Sequence, residues 1–329
     1  MKILLTGANG SLGSQIAKKL LANGHAVRAI KRATSDLKLL GNDAEKIEWF
    51  EGDVRDIFSL ENAMQDITHL VHCAALISFL PEDENVLMQI NVEGTANVMN
   101  AALEANLQKV LHVSSVAAFG RPKGVSIIDE TLDTKDSKDN FNYYRSKLLG
   151  EREAWRANAE GLNVVIINPS TILGDGNWDK EPNIAFDYAY KNYPFYTQGA
   201  NGFVDVRDVA EIAIQLLLSD VNNEQFIVSA ENMALREFQN LLADEFGKKR
   251  PTISIGKWLT ALAWRGEWVV QKISGKRPLL TKETAQLTQS TFAYSNEKIK
   301  TALNYSFIPV RESVCDYCKV YLSNRYALS

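Results

Sequence analysis

The stretch FNYYRSK, residues 141–147, sets two tyrosines side by side with a lysine close behind. Tyr143 and Lys147 are four residues apart, and KLLGEREAWRAN continues a helical pattern. On a helix that spacing puts the pair on one face, separated by about 6 Å of rise. Tyr144 has Leu148 in the equivalent place, so it lacks a cationic partner and is expected to pack or to line a site. A phenol with its ordinary pKa of about 10 is a sluggish acid or base at neutral pH. An ammonium about 6 Å away, at an effective dielectric of about 20, offers roughly 3 kcal/mol toward the phenolate, or about two pKa units. A YxxxK pair by itself is commonly just a surface helix; beside a nucleotide-binding fold it becomes a candidate acid/base. A second hydroxyl source lies upstream in VLHVSSVAAFG (110–120), which begins as a β-rich run and passes into a loop. Its serines could hold a carbonyl oxygen and steady charge developing there. Turn chemistry or a helix cap would use the same pair.

The elements that must position these groups alternate regularly through the first 170 or so residues. Strand-like runs occur at KILLT (2–6), AVRAI (26–30), KIEWF (46–50), HLVHC (69–73), KVLHV (109–113) and NVVII (163–167), with helical patterns such as SLGSQIAKKLLANG and INVEGTANVMNAALEAN between most of them. Strands alternating with helices predict βαβ units and an α/β, doubly wound parallel sheet, with the ligand beyond the carboxyl ends of the strands. Residues 1–169 together with 203–229 are expected to form this dinucleotide-binding domain. Residues 170–202 and 230–329 are expected to form a smaller, mostly helical substrate lobe.

LLTGANGSLGSQIAKKLL places Gly7, Gly10 and Gly13 between the first strand and the first helix, in GxxGxxG spacing. Gly7 permits the tight turn, Gly10 lets the backbone approach a pyrophosphate, and Gly13 lets the helix pack close to the strand. The amides of Gly10, Ser11, Leu12 and Gly13, with the positive end of the helix dipole, would hold the phosphates. An NAD site usually carries an acid about 20 residues after the glycines. Here the second strand runs into Lys31 and Arg32, which would attract a 2′-phosphate, so NADP is favoured over NAD. A merely solvated strand end is the alternative, and Asp36 nearby keeps NAD open. In such a fold Asp53 and Val54 would lie by the adenine, and Ala74 and Ala75 would let the cofactor backbone pass.

The remaining features bound the function. The chain has 329 residues, a formal net charge of −4 and only short basic clusters, which gives no footprint for nucleic acid. Three cysteines, Cys73, Cys315 and Cys318, suit a reducing compartment rather than a disulfide framework. The lone CxxC lacks the second pair a zinc site needs, and His69 and His72 would point to opposite faces of a strand, so no metal is expected. MKILLTGANG enters a strand at once, so no secretory leader is expected, and no apolar run approaches a membrane span. The expected location is the cytoplasm. KWLTALAWRGEWVVQKI (257–273) supplies Trp258, Trp264 and Trp268. Core packing is the favoured reading for that helix, with a pocket wall or a membrane-surface contact as alternatives.

TGANGSLG, GDVRD, HCAAL, NVEGT, VSSVAAFG, YRSK and FVDVRDVA, taken in order, resemble the landmarks of the extended short-chain dehydrogenase/reductase family, also called the NAD(P)-dependent epimerase/dehydratase family. The resemblance is good over 1–230 and loose beyond. It implies a Rossmann-type fold, with Ser115 (five before Gly120) as the catalytic serine, Tyr143 as the acid/base, and Lys147 as the lysine that binds the nicotinamide ribose and lowers the tyrosine's pKa. Asn91 would be a structural asparagine near the site, and Pro169 would be among the cofactor contacts. The implied reduction has NADPH delivering hydride to a carbonyl carbon while Tyr143 protonates the oxygen and Ser115 holds it. INPSTILGDG (167–176) and the Lys31-Arg32 pair look more like the dihydroflavonol-reductase-like and hydroxysteroid-dehydrogenase-like branch than like sugar-nucleotide epimerases. The expected activity is therefore reduction of a ketone or aldehyde, or the reverse, on an apolar or moderately polar substrate. Two readings stand beside it: a nucleotide-sugar epimerase or dehydratase with tightly bound NAD, and a non-catalytic NADP-sensing regulator. No GxSxG elbow suggests a hydrolase. Relatives are often dimers, so a homodimer is compatible with the resemblance.

Overall fold

The computed structural model describes residues 1–120, 124–134, 141–176, 178, 183–274 and 280–326, apart from the side chains of residues 269, 270, 273, 274 and 326. Parts of the expected substrate lobe, residues 177, 179–182, 275–279 and 327–329, thus lie outside the described residues.

Six strands follow in chain order: β1 (Lys2–Thr6), β2 (Ala26–Lys31), β3 (Glu48–Glu51), β4 (His69–His72), β5 (Lys109–Val113) and β6 (Val164–Pro169). After β7 (Thr171–Leu173), β8 (Phe195–Tyr196) and β9 (Ala200–Asp205), the chain returns to the same sheet as β10 (Glu224–Val228). The main sheet is fully parallel in the order β10-β6-β5-β4-β1-β2-β3. Its strands are near-continuous apolar runs because both faces are covered. On one face Ile3, Leu5, Val71, Leu111 and Val113 pack under α1 (Ser11–Ala22) and the later helix Val206–Leu218. On the other, Leu4, Leu70, Val110, Val164 and Ile166 pack under α2 (Ile57–Ala63), α4 (Gly94–Glu104) and α5 (Asn142–Ala159), while Leu87 of the short α3 (Glu84–Leu87) packs with Ala117 and Tyr143. Strand order reverses between β1 and β4, which opens the crevice where a dinucleotide binds in such sheets.

The later part of the chain adds α6 (Ile184–Tyr190), α7 (Val206–Leu218), β11 (Glu231–Ala234), α8 (Leu235–Glu245), β12 (Ile253–Ser254), α9 (Lys257–Ser274), α10 (Lys282–Leu287), α11 (Glu297–Leu303) and α12 (Val310–Tyr326). A three-stranded sheet β11-β9-β7 and the pair β12-β8 supplement the helices. Strand β9 runs across residue 203, where the sequence suggests a change of lobe. Cys315 and Cys318 are free thiols on α12, and Cys318 is buried in the core.

The tryptophan-rich helix departs from expectation. Trp258 is 84% exposed, and Leu259, Leu262 and Trp268 are exposed as well. Core packing therefore fails for Trp258 and Trp268. Among the described residues the helix leans chiefly on α10, which leaves an apolar stripe of Trp258, Leu259, Leu262 and Trp268 exposed. Trp264 is half-buried and lines a cavity of about 340 Å³ with Thr260, Ala285 and Gln289. Among the described residues no helix is long and apolar enough to cross a membrane.

Candidate active site

The glycine turn is built by close approach. Gly7 has φ +73°, and a Cβ there would fall 2.8 Å from the amide nitrogen of Ala74, so the exit of β4 runs directly over it. A Cβ on Gly13 would fall 2.0 Å from the carbonyl oxygen of Gly7, which is how closely α1 packs on the turn. Gly10 is the N-cap of α1 and no side chain caps that end. The first amides of the helix therefore lack an intrahelical acceptor, and the dipole favours an anion there. The Ser11 hydroxyl donates to the Asp175 carbonyl, tying the loop after β7 across the turn. What Ser11 can offer a phosphate is its amide, alongside those of Leu12 and Gly13. The narrow cradle and uncapped helix start fit a dinucleotide pyrophosphate.

At the end of β2, the Lys31 ammonium lies 5.4 Å from the centre of the Trp49 ring. Arg32 is exposed and its amide donates to Ser35. Asp36 accepts the amide of Lys38, so its carboxylate already serves its own turn. Asp53 is gripped by Arg55 through Nε and Nη2 at 2.9 and 2.8 Å, and that guanidinium holds its carboxyl below the usual range. Val54 is buried with its carbonyl bonded to Asn97. Beside them a shallow groove of about 440 Å³ is lined by Asp53, Arg55, Asp56, Gln89, Glu93 and Asn97. The amide of Ala74 donates to Thr6 Oγ1, Ala75 is exposed, and Pro169 is buried at the end of β6.

Helix α5 carries Tyr143 and Lys147, both buried, against the carboxyl end of β5. The Tyr143 phenol is hydrogen-bonded with the Ser115 hydroxyl, and its ring meets Phe79 edge-on at 5.3 Å. Ser115 Oγ also accepts the amide of Ala117, capping a short 3-10 turn, Val116–Phe119. The serine thus performs its local capping while facing the phenol. Lys147 Nζ donates to the Val113 carbonyl at 3.1 Å. Asn91 pins the β4 exit to this helix: it accepts from the Leu76 amide and donates to the Leu76 carbonyl and to Ser146 Oγ.

The electrostatics correct one expectation. Burial pushes the Tyr143 pKa up to about 12, and only the Ser115 hydrogen bond works against it. The two-unit lowering expected from Lys147 is absent: the ammonium is turned onto the Val113 carbonyl, and burial sets the direction for the phenol. Burial likewise brings Lys147 down to about 8, against the opposing charges of Cys73 and Glu151. His72, which burial and the Lys147 charge bring to about 3, is neutral between Thr6 and Thr95.

Several site-building residues escaped the sequence reading. Glu151 is buried one helical turn beyond Lys147, bonded to Asn168 and Gln225. The same four-residue spacing that singles out Tyr143 and Lys147 extends to it. Gly150 brings α5 onto the Asn91 segment, where a Cβ would fall 2.2 Å from the Asn91 carbonyl oxygen.

The sequence profile of the NAD-dependent epimerase/dehydratase family matches residues 3–229. The chain belongs to this family. Its members include extended short-chain dehydrogenase/reductases, and the chain is an NAD(P)-dependent oxidoreductase-type enzyme. It is 33% identical over 262 residues to sterol demethylase protein B of Methylococcus capsulatus, an alignment spanning 78% of this chain and 77% of that one. It is 29% identical over 323 residues to a putative dihydroflavonol 4-reductase of Synechocystis, covering 95% and 92%. Among family folds, the crystal structure of gox2253 superposes with a TM-score of 0.82 at 33% identity, covering 95% of this chain and 96% of that one. A Thermus thermophilus UDP-glucose 4-epimerase in complex with NAD superposes at 0.76 with 21% identity, covering 96% and 97%, which shows the shared fold.

Proposed function

We propose that this enzyme interconverts a ketone or aldehyde with its alcohol using NADP, with Tyr143 as acid/base, Ser115 holding the reacting oxygen and Lys147 supporting both cofactor and charge. The observation that carries this reading is the buried Tyr143 phenol hydrogen-bonded with Ser115, on a sheet whose first turn suits a pyrophosphate. When bound, the dihydronicotinamide supplies the hydride equivalent. Tyr143 stays a neutral phenol at working pH, so in the reductive direction it is a proton donor rather than a base. Ser115, its oxygen accepting from Ala117 and its hydroxyl bonded with Tyr143, can turn its proton from the phenol toward a carbonyl oxygen that enters beside them. Leu76, Phe79, Leu87 and Tyr144 pack around Tyr143 and exclude water, which favours an apolar or moderately polar substrate. The names of the reductase relatives point the same way.

Two expected outcomes follow from charges. Lys147 is cationic below about pH 8 and loses its charge above it, so carbonyl reduction should decline as pH rises through that value. A pH–rate profile of kcat checks this, and a flat profile to pH 10 (about two units beyond) would remove the ammonium from the chemistry. At the other end of the crevice, Lys31→Asp with Arg32→Asn should reverse the coenzyme preference by about tenfold or more, since two phosphate-attracting cations become one acid and one amide. Equal NADPH and NADH affinities before and after would show that the basic pair is not the selector.

The decisive screen presents purified protein with NADPH or NADH to a panel of carbonyl compounds and nucleotide sugars. Stoichiometric coenzyme consumption with carbonyls supports the reductase. Sugar interconversion with copurifying NAD and no net consumption assigns the epimerase or dehydratase reading instead, and coenzyme binding without any turnover assigns a regulator.

A further inference from the structure

Beside the three groups assigned to chemistry, Ser115, Tyr143 and Lys147, lies a buried acid that the mechanism above does not use. Glu151 Oε2 accepts from Asn168 Nδ2 at 2.6 Å, and Oε1 accepts from Gln225 Nε2 at 2.8 Å. Asn168 Nδ2 also donates to the Ser115 carbonyl at 3.0 Å, while Gln225 Nε2 closes the ring on Asn168 Oδ1 at 2.9 Å. Glu151, Asn168 and Lys147 are all buried, and the Glu151 charge acts on Lys147. One carboxyl therefore reaches both the backbone of the serine and the field around the lysine. We propose that Glu151 is a positioning residue for the oxidoreductase reaction proposed above, holding the Ser115 backbone through Asn168 and supporting the charge on Lys147.

The chemistry of the ring makes the claim specific. An ionised carboxylate only accepts, which matches two amide donors aimed at it. Glu151→Gln keeps the shape but turns one of those contacts into donor against donor, and it deletes the charge. The titratable groups that interact with Lys147 are Glu151 on α5, His72 and Cys73 at β4, and His112 on β5. Both histidines are held neutral by burial and the Cys73 thiol is pushed up to about 12, so Glu151 is the anionic candidate among them; burial pushes its carboxyl up, and the bonds from Asn168 and Gln225 and the Lys147 charge oppose that.

The test follows the Lys147 side chain by lysine NMR, with the signal assigned by its loss in Lys147→Arg, in parallel with steady-state kinetics. In Glu151→Gln, Lys147 should titrate at lower pH than in the native enzyme. The high-pH limb of kcat should move with it, and kcat should fall by about ten- to a hundredfold with the carbonyl KM changed by less than about threefold. Glu151→Asp keeps the charge and should return the lysine titration toward native; it also serves if the Gln variant does not fold. A native lysine titration and pH limb in the Gln variant, or equal losses in Asp and Gln tracking only melting temperature, overturn the proposal. If the native protein reduces no carbonyl, the oxidoreductase reading fails, while the lysine titration still decides whether Glu151 acts on Lys147.

Discussion

Tyr143→Phe is expected to lower turnover by about 10³-fold while leaving the coenzyme dissociation constant within about twofold. The substitution removes one oxygen and keeps the ring, whose edge contacts with Phe79 and Tyr144 hold this part of α5 in place. Folding should therefore be little affected. The phenol is buried, so losing its hydroxyl also frees the chain of a polar group whose described partner is the Ser115 hydroxyl. What disappears is the proton source beside the reacting oxygen. Steady-state kinetics combined with a coenzyme fluorescence titration separates the two effects. Undiminished turnover would remove Tyr143 from the chemistry.

Gly13→Ala is expected to cost about 3 kcal/mol of stability and to weaken coenzyme binding by about tenfold or more. The added carbon would sit 2.0 Å from the Gly7 carbonyl oxygen and 2.7 Å from its carbonyl carbon. Both are backbone atoms, so no side chain can swing aside; α1 must back away from β1. That movement displaces the amides of Ser11 and Leu12 from the place a pyrophosphate would occupy. Calorimetry and a coenzyme titration on the same preparation measure both consequences. An unchanged melting temperature with native affinity would show that the turn is looser than its geometry indicates.

The main sheet was legible in the sequence because buried parallel strands leave a plain trace. KVLHV coincides with β5, and KILLT with β1, since each is an apolar run bounded by turn residues. The small sheet was not legible. β7 follows β6 after Ser170 alone, and a one-residue break between two strands of different sheets has no signature in periodicity. The tryptophan helix shows the complementary limit: spacing reveals which residues share a face, but not whether another layer covers that face. At the site, the spacing of Tyr143 and Lys147 was readable, whereas the balance between burial and charge was not. A Coulomb argument along one helix cannot see that the lysine has a strand carbonyl to bond, or that the phenol is shut away from water. Glu151 follows the same spacing rule, but an acid on a helix ordinarily faces solvent, so spacing alone does not mark it as buried.

The central claim is a redox step at a carbonyl or carbinol carbon, assisted by the Tyr143 phenol. Its most direct measurement uses NADPH deuterated at the transferring position of the nicotinamide, with each substrate that the screen identifies. The account predicts one deuterium on the former carbonyl carbon of the product for each coenzyme oxidised, lost in Tyr143→Phe. Product that forms without coenzyme oxidation, or that carries only solvent hydrogen at that carbon, would contradict it.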